Sequence, residues 1–123
     1  MKIIPRKVHI VFDLIIILYL IAYPLFYLEQ GVVTVVMLVS GISILLYSLL
    51  TKYELGLFKM MNVKNHLALD FLIGLMLAGA PYLLNYSTAF WEQVIPGLVL
   101  IILALTTRNE SVNIPKQQEK ITF

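Results

Sequence analysis

The sequence of 123 residues contains no cysteine and few charged residues, which make up only 13% of the chain. Without cysteine there is no disulfide bond, no thiolate metal site and no thiol nucleophile. The formal net charge of +2 is too small for a surface that binds nucleic-acid phosphates. Soluble proteins are about 25% charged. These shortages exclude a nucleic-acid binder, and they argue against an ordinary soluble enzyme.

What the chain has in excess is apolar residues, which amount to 60% of the sequence. A soluble chain of this length cannot hide so much apolar surface, because small domains bury only about two thirds of their surface on folding. An integral membrane protein is the class that remains.

Four apolar segments are long enough to cross about 30 Å of hydrocarbon as helices. We expect these spans at residues 8–28, 31–51, 66–84 and 90–107. The linker at residues 53–65 mixes apolar and basic side chains, so it forms either a short amphipathic helix at the membrane surface or a plain connection. Residues 109–123 are polar, and we expect a flexible tail.

All the cationic side chains fall on one side of these spans. They precede the first span, lie around the linker between the second and third, or follow the fourth. By the positive-inside rule, both termini and the linker should face the cytoplasm. The residues are Lys2, Arg6, Lys7, Lys52, Lys59, Lys64, Arg108, Lys116 and Lys120.

The second half of the sequence repeats the first as a second two-helix unit. Because each unit crosses the membrane twice, both copies have the same orientation, and a pseudo-twofold axis should follow the membrane normal. The predicted fold is an all-α four-transmembrane-helix bundle of two tandem helical hairpins, residues 1–52 and 66–108. The matched pairs include Lys7 and Lys64, His9 and His66, Asp13 and Asp70, Pro24 and Pro81, Gly41 and Gly97, and Thr51 and Thr107.

Three further groups of residues are predicted to have structural roles in this bundle. Pro24 and Pro81 should shape the outer ends of their spans, because proline removes a helix hydrogen bond. Small residues let membrane helices approach closely, and aromatic rings settle at the membrane–water interface. The expected packing positions are Gly41, Gly74, Ala78 and Gly97, and the expected interface belt includes Tyr27, Tyr82, Tyr86 and Trp91.

The second unit carries Ala-Pro-Tyr at residues 80–82, followed by Trp91 and a span that contains Pro-Gly at residues 96–97. This pattern resembles the SPW-repeat integral membrane proteins of bacteria, in which each repeat is a helix pair with a Ser-Pro-Trp motif. The first unit has Tyr-Pro-Leu at residues 23–25, so only the proline is kept in both copies. The resemblance covers residues 7–108. It implies two helix pairs in a bacterial inner membrane and no particular activity.

The only two histidines each precede an aspartate by four residues, in His9/Asp13 and His66/Asp70. This spacing places both side chains of a pair on one helical face, and the repeat places the two pairs at equal depth. Three interpretations remain open. In the first, each aspartate has a structural role in the first turn of its helix, where it favours the positive end of the dipole and accepts a hydrogen bond or charge interaction from histidine or a nearby lysine. In the second, the pairs form a proton relay or the mouth of an ion path. In the third, they bind a divalent metal or haem.

The functional expectation is a non-enzymatic accessory or structural subunit in contact with lipid. It would pack against itself as a homo-oligomer, or against a larger membrane complex. The alternative is an oligomeric channel or transporter for protons or a small solute that uses the His/Asp pairs. No cofactor is expected, and haem or a divalent metal stays an alternative for those four residues.

Overall fold

The computed structural model describes residues 3–27, 31–52, 56–87 and 90–108. These residues form four α-helices: α1 (Arg6–Phe26), α2 (Val32–Leu49), α3 (Val63–Leu83) and α4 (Phe90–Thr106). The fold is the all-α bundle that the sequence predicts. The described residues contain no strand, only two isolated backbone bridges. The predicted flexible tail at residues 109–123 lies outside the described residues.

Three of the described helices, α1, α2 and α3, are long and apolar enough to cross a membrane, and α4 is a shorter apolar helix of 17 residues. Large apolar side chains face outward from all four helices. A continuous apolar exterior of this kind suits lipid, whereas in water it would drive association. The chain is therefore a small membrane protein. Examples of the outward side chains are Leu18 of α1, Val35 of α2, Leu72 of α3 and Ile102 of α4.

The first and third helices begin earlier than the sequence suggested, at Arg6 and Val63. Asp13 and Asp70 are consequently each the eighth residue of their helix, and neither helix has an acidic residue in its first turn. The explanation by the helix dipole was therefore wrong, because that effect fades within the first turn. Their burial must be balanced by partners on other helices.

The second hairpin, α3 and α4, is closely packed because glycines meet where the helices cross. A Cβ atom on Gly97 would lie 2.7 Å from the Ala78 amide nitrogen and 2.8 Å from the Gly74 carbonyl oxygen. Both distances are shorter than van der Waals contact, so only glycine fits there. These three residues lie at the crossing of α3 and α4, as expected for helix-packing positions.

The first hairpin, α1 and α2, has a glycine on one helix only. A Cβ atom on Gly41 of α2 would lie 3.0 Å from side-chain atoms of Leu20 and Ile21 of α1. The α1 residues that correspond to Gly74 and Ala78 are Ile17 and Ile21. Branched side chains therefore take the place of small ones, and the helices approach less closely: a Cβ atom on Gly41 would lie 3.5 Å from the Ile17 carbonyl oxygen, against 2.8 Å from Gly97 to the equivalent Gly74 oxygen.

Backbone bridges close the bundle at the end where α1 and α3 begin. Ile4, just before α1, pairs with Thr107, just after α4, and Met61, just before α3, pairs with Thr51, just after α2. The two bridges join equivalent positions of the repeat. They bring α1 beside α4 and α2 beside α3 at this end of the bundle.

The described part of the linker, residues 56–62, is not helical. Its backbone instead folds back on the end of α2, where the Leu57 amide donates to the Leu49 carbonyl at 2.8 Å and the Met60 amide donates to the Leu50 carbonyl at 2.7 Å. In a surface helix, these amide groups would instead donate to carbonyl groups within the helix. The amphipathic-helix alternative therefore fails for residues 56–62.

Candidate functional site

Four ionisable side chains converge inside the bundle near the end where α1 and α3 begin: His9, Asp13, His66 and Asp70, hereafter the quartet. His9 is 1% exposed and the other three are 0% exposed. One ligand-type atom from each residue lies within 4.8 Å of the other three. The sequence placed each pair on one helical face, and the structure turns both faces toward each other.

The shortest contacts of the quartet join the two halves of the chain. His9 Nε2 lies 2.9 Å from Asp70 Oδ2, and His66 Nε2 lies 2.8 Å from Asp13 Oδ2. Within each helix the four-residue pairs are slightly longer, at 3.1 Å for His9 and Asp13 and 3.2 Å for His66 and Asp70. Each aspartate therefore contacts both histidines through the same oxygen. These contacts link α1 to α3.

Threonine hydroxyls hold the outer nitrogen of each imidazole ring. His9 Nδ1 lies 2.8 Å from Thr107 Oγ1, and His66 Nδ1 lies 2.9 Å from Thr51 Oγ1. The Thr51 hydroxyl donates its only hydrogen to the Tyr47 carbonyl oxygen at 2.7 Å. It must therefore accept a hydrogen bond from His66, so the Nδ1 atom of His66 carries a hydrogen.

Tyr47 of α2 adds one bond that breaks the symmetry of the quartet. Its hydroxyl donates to Asp70 Oδ1, and its ring stacks edge-on against the His66 ring with centroids 4.8 Å apart. The matching position in α4 is Leu103, which has no donor to offer Asp13. The two halves are therefore alike in their four central groups and in the two threonines, and they differ at Tyr47 and Leu103.

A proton or a metal cation is required between the histidine nitrogens and the carboxylate oxygens at the centre of the quartet. Ionised carboxylates only accept hydrogen bonds, and a neutral His66 with hydrogen on Nδ1 would present a lone pair on Nε2 to them. Two kinds of arrangement remove that repulsion: additional protons, carried by the Nε2 atoms or by the carboxyl groups, or a metal cation between the four ligand atoms. Either one neutralises the two carboxylates, which would otherwise be too costly to bury.

The opposite end of the bundle carries the aromatic residues that were expected to form the interface belt. Tyr27, Tyr82 and Trp91 are 69%, 81% and 63% exposed, as expected for an interface belt. Tyr86 is more enclosed: its hydroxyl donates to Gln93 Oε1 at 2.6 Å, and burial raises its pKa above the ordinary value. These contacts are structural, and they lie far from the quartet along the helices.

The two prolines expected to shape the helix ends lie inside α1 and α3, near the last turn of each. Pro24 and Pro81 are both buried. Neither helix is ended by its proline, since α1 continues to Phe26 and α3 continues to Leu83.

Sequence reasoning did not assign Thr51, Thr107 and Tyr47 to the site. The threonines had a signal, because they are matched polar residues in a repeat that otherwise conserves mostly apolar positions between its two halves. Tyr47 had none, since its counterpart Leu103 is apolar. Tyr47 lies one helical turn before Thr51, but this position points to the site only when α2 is known to pack beside α3.

The comparison with protein families agrees with the pattern of two helix pairs. The model of the SPW repeat domain matches residues 7–107, a range that includes all four helices except the first residue of α1. No curated protein and no solved structure matches the chain. The match spans most of the sequence and contains the whole quartet. This chain therefore belongs to the SPW repeat domain family.

Proposed function

We propose that this protein is a non-catalytic accessory or structural subunit of a bacterial inner membrane. It would pack against copies of itself or against a larger membrane protein. The observation that carries the proposal is the burial of the quartet: its side chains are at most 2% exposed and are bonded to one another. Side chains that are buried and bonded to one another between the helices are not accessible to a substrate.

The outer surface supports the same interpretation. An apolar groove of about 500 Å³ runs between α1 and α4, and its lining includes Phe12, Tyr19 and Pro96. A second one of about 460 Å³ lies between α3 and α4, lined partly by Phe71. Such grooves suit lipid chains or an apolar partner helix. Each lining is mostly apolar and has one charged side chain, Glu92 in the first groove and Lys64 in the second.

We propose further that both termini are cytoplasmic, so that the quartet lies near the cytoplasmic side. The support is the distribution of cations, all of which fall at the quartet end of the spans or beyond it. Among the described residues, Arg6, Lys7, Lys64 and Arg108 surround the helix ends there.

A second candidate is an oligomeric channel or transporter for protons or a small solute. The observation that favours it is the quartet itself, because ionisable residues inside membrane helices mark ion or proton paths in many proteins. Transport would require the bundle to open, since solvent does not reach these side chains in the present arrangement.

Mass and proton-flux measurements on the natively expressed protein together test the first candidate against the second. After gentle extraction into lipid nanodiscs, we expect a particle whose protein mass exceeds the 14.0 kDa of one chain, because it contains further copies or a partner. Reconstituted liposomes should carry no proton flux above protein-free liposomes. A lone 14.0 kDa chain would contradict the accessory role, and flux that Asp13→Asn or Asp70→Asn abolishes in assembled protein would establish the transport role.

A further inference from the structure

We propose that the quartet binds one divalent transition-metal ion of the zinc type. The ligands would be the Nε2 atoms of His9 and His66 and the Oδ2 atoms of Asp13 and Asp70. The proposal concerns the same residues as the proposed function, but it holds whether the protein is an accessory subunit or a transporter.

The distances between the four ligand atoms carry the proposal. Each Nε2 atom lies close to both Oδ2 atoms, and the four separations are 2.8, 2.9, 3.1 and 3.2 Å. With the four ligand atoms all within 4.8 Å of one another, these separations leave a centre roughly 2 Å from each atom, which is the length of a zinc–nitrogen or zinc–oxygen bond. A small cation would therefore reach all four ligands without moving any helix.

Convergence on one point distinguishes this geometry from two ordinary ion pairs. In an ordinary ion pair, one N–H group donates to one carboxylate oxygen. Two such pairs have no reason to share a centre and can lie apart. Here a single oxygen of each aspartate faces both histidines, so four close contacts would be shared by only two N–H groups. A central cation makes all four contacts equivalent, as edges of one coordination shell.

The surrounding bonds are of the kind that orient metal ligands. A histidine that binds metal through one nitrogen usually donates the other N–H to a fixed acceptor, which sets the tautomer and the ring orientation. Thr51 and Thr107 stand at those outer nitrogens. Tyr47 donates to the second oxygen of Asp70, which leaves Oδ2 directed at the centre.

The chemistry of the ligand set selects the class of ion. Two imidazoles and two carboxylates suit a four-coordinate transition metal, and a divalent charge balances the two carboxylates. Calcium takes six to eight oxygen ligands, and magnesium demands octahedral oxygen coordination. Haem does not fit, because the carboxylate oxygens occupy the space between the two imidazoles that a porphyrin ring would need.

Cobalt(II) titration of the chelator-treated wild-type protein in detergent tests the proposal directly. We expect one Co²⁺ per chain, with the strong visible absorption of a four-coordinate site. Zn²⁺ should displace the Co²⁺ and raise the melting temperature, and Mg²⁺ and Ca²⁺ in excess should do neither. Absence of saturable Co²⁺ binding to the folded wild-type chain would overturn the proposal, whatever the variants do.

Two adjacent threonines supply a matched pair of variants for the same titration. The Thr107 hydroxyl contacts the outer nitrogen of His9, whereas the Thr106 hydroxyl donates to the Ile102 carbonyl of its own helix. Thr107→Val should weaken Co²⁺ binding by about 10- to 100-fold, and Thr106→Val should leave it unchanged. Equal affinities for the two variants would contradict the site, as would Co²⁺ binding that survives the double substitution His9→Gln and His66→Gln. Neither outcome depends on oligomeric mass or on flux, so the proposal fails or stands separately from the proposed function.

Discussion

Replacing Asp70 with asparagine is expected to lower the free energy of unfolding by about 3–5 kcal/mol, the usual cost of removing one partner from a buried ionic group. The substitution keeps the size of the side chain and removes its charge. The two histidines then share one carboxylate, and the Tyr47 hydroxyl loses its ionised acceptor. Denaturation of the purified protein in mixed detergent micelles, followed by circular dichroism, measures the change.

Two control variants isolate the charge in that experiment. Glu92→Gln makes the same chemical change at the opposite end of the bundle, outside the quartet, and should alter stability by no more than about 0.5 kcal/mol. Tyr47→Phe keeps the ring against His66 and removes only the hydroxyl, so it should cost about 1.5–3 kcal/mol, the range for a hydrogen bond to a charged group. A loss at Asp70 no greater than that at Glu92 would show that the quartet does not stabilise the bundle.

Replacing Gly97 with alanine is expected to destabilise the second hairpin by roughly 1–3 kcal/mol through overpacking. The added methyl group would meet the Ala78 amide nitrogen at 2.7 Å and the Gly74 carbonyl oxygen at 2.8 Å. Both are backbone atoms, which cannot turn aside as a flexible side chain can. Relief requires α3 and α4 to move apart, which loses contacts along the whole hairpin. Detergent denaturation again provides the measurement.

The same substitution at Gly79 provides the matched control. Its nearest neighbour would be Leu83 Cδ1 at 3.7 Å, an ordinary contact with the end of a side chain. Alanine is the better helix former by about 0.5–1 kcal/mol, so Gly79→Ala should leave stability unchanged or raise it. If Gly97→Ala and Gly79→Ala behave alike, the close crossing of α3 and α4 is not the feature that holds the second hairpin.

The positions of the four helices could be predicted because the chain has few charges and they mark the ends of apolar segments. The starts of α1 and α3 were set too late because Lys7 and Lys64 were expected to lie outside the helices. Long cationic side chains can instead extend toward the membrane surface while their backbone remains helical. That error of two or three residues produced the wrong explanation for the aspartates.

The convergence of the quartet could be predicted only in part. Four-residue spacing places His9 with Asp13 and His66 with Asp70, and this is a property of one helix. The shorter bonds, from His9 to Asp70 and from His66 to Asp13, depend on how α1 and α3 are rotated against each other. Apolar residues surround α3 almost evenly, so the sequence pattern indicates no preferred rotation for that helix.

A double-mutant cycle on His66 and Asp13 tests the central claim most directly, namely that the quartet couples the two halves of the chain. These residues lie on different halves, with Nε2 and Oδ2 2.8 Å apart. The unfolding free energies of His66→Gln, Asp13→Asn and the double variant are compared with that of the wild type, and a parallel cycle on Asp13 and Glu92 is the control. Our account predicts a coupling energy of roughly 1–3 kcal/mol for the first cycle and additivity for the second. Additivity within about 0.5 kcal/mol for His66 and Asp13 would contradict it.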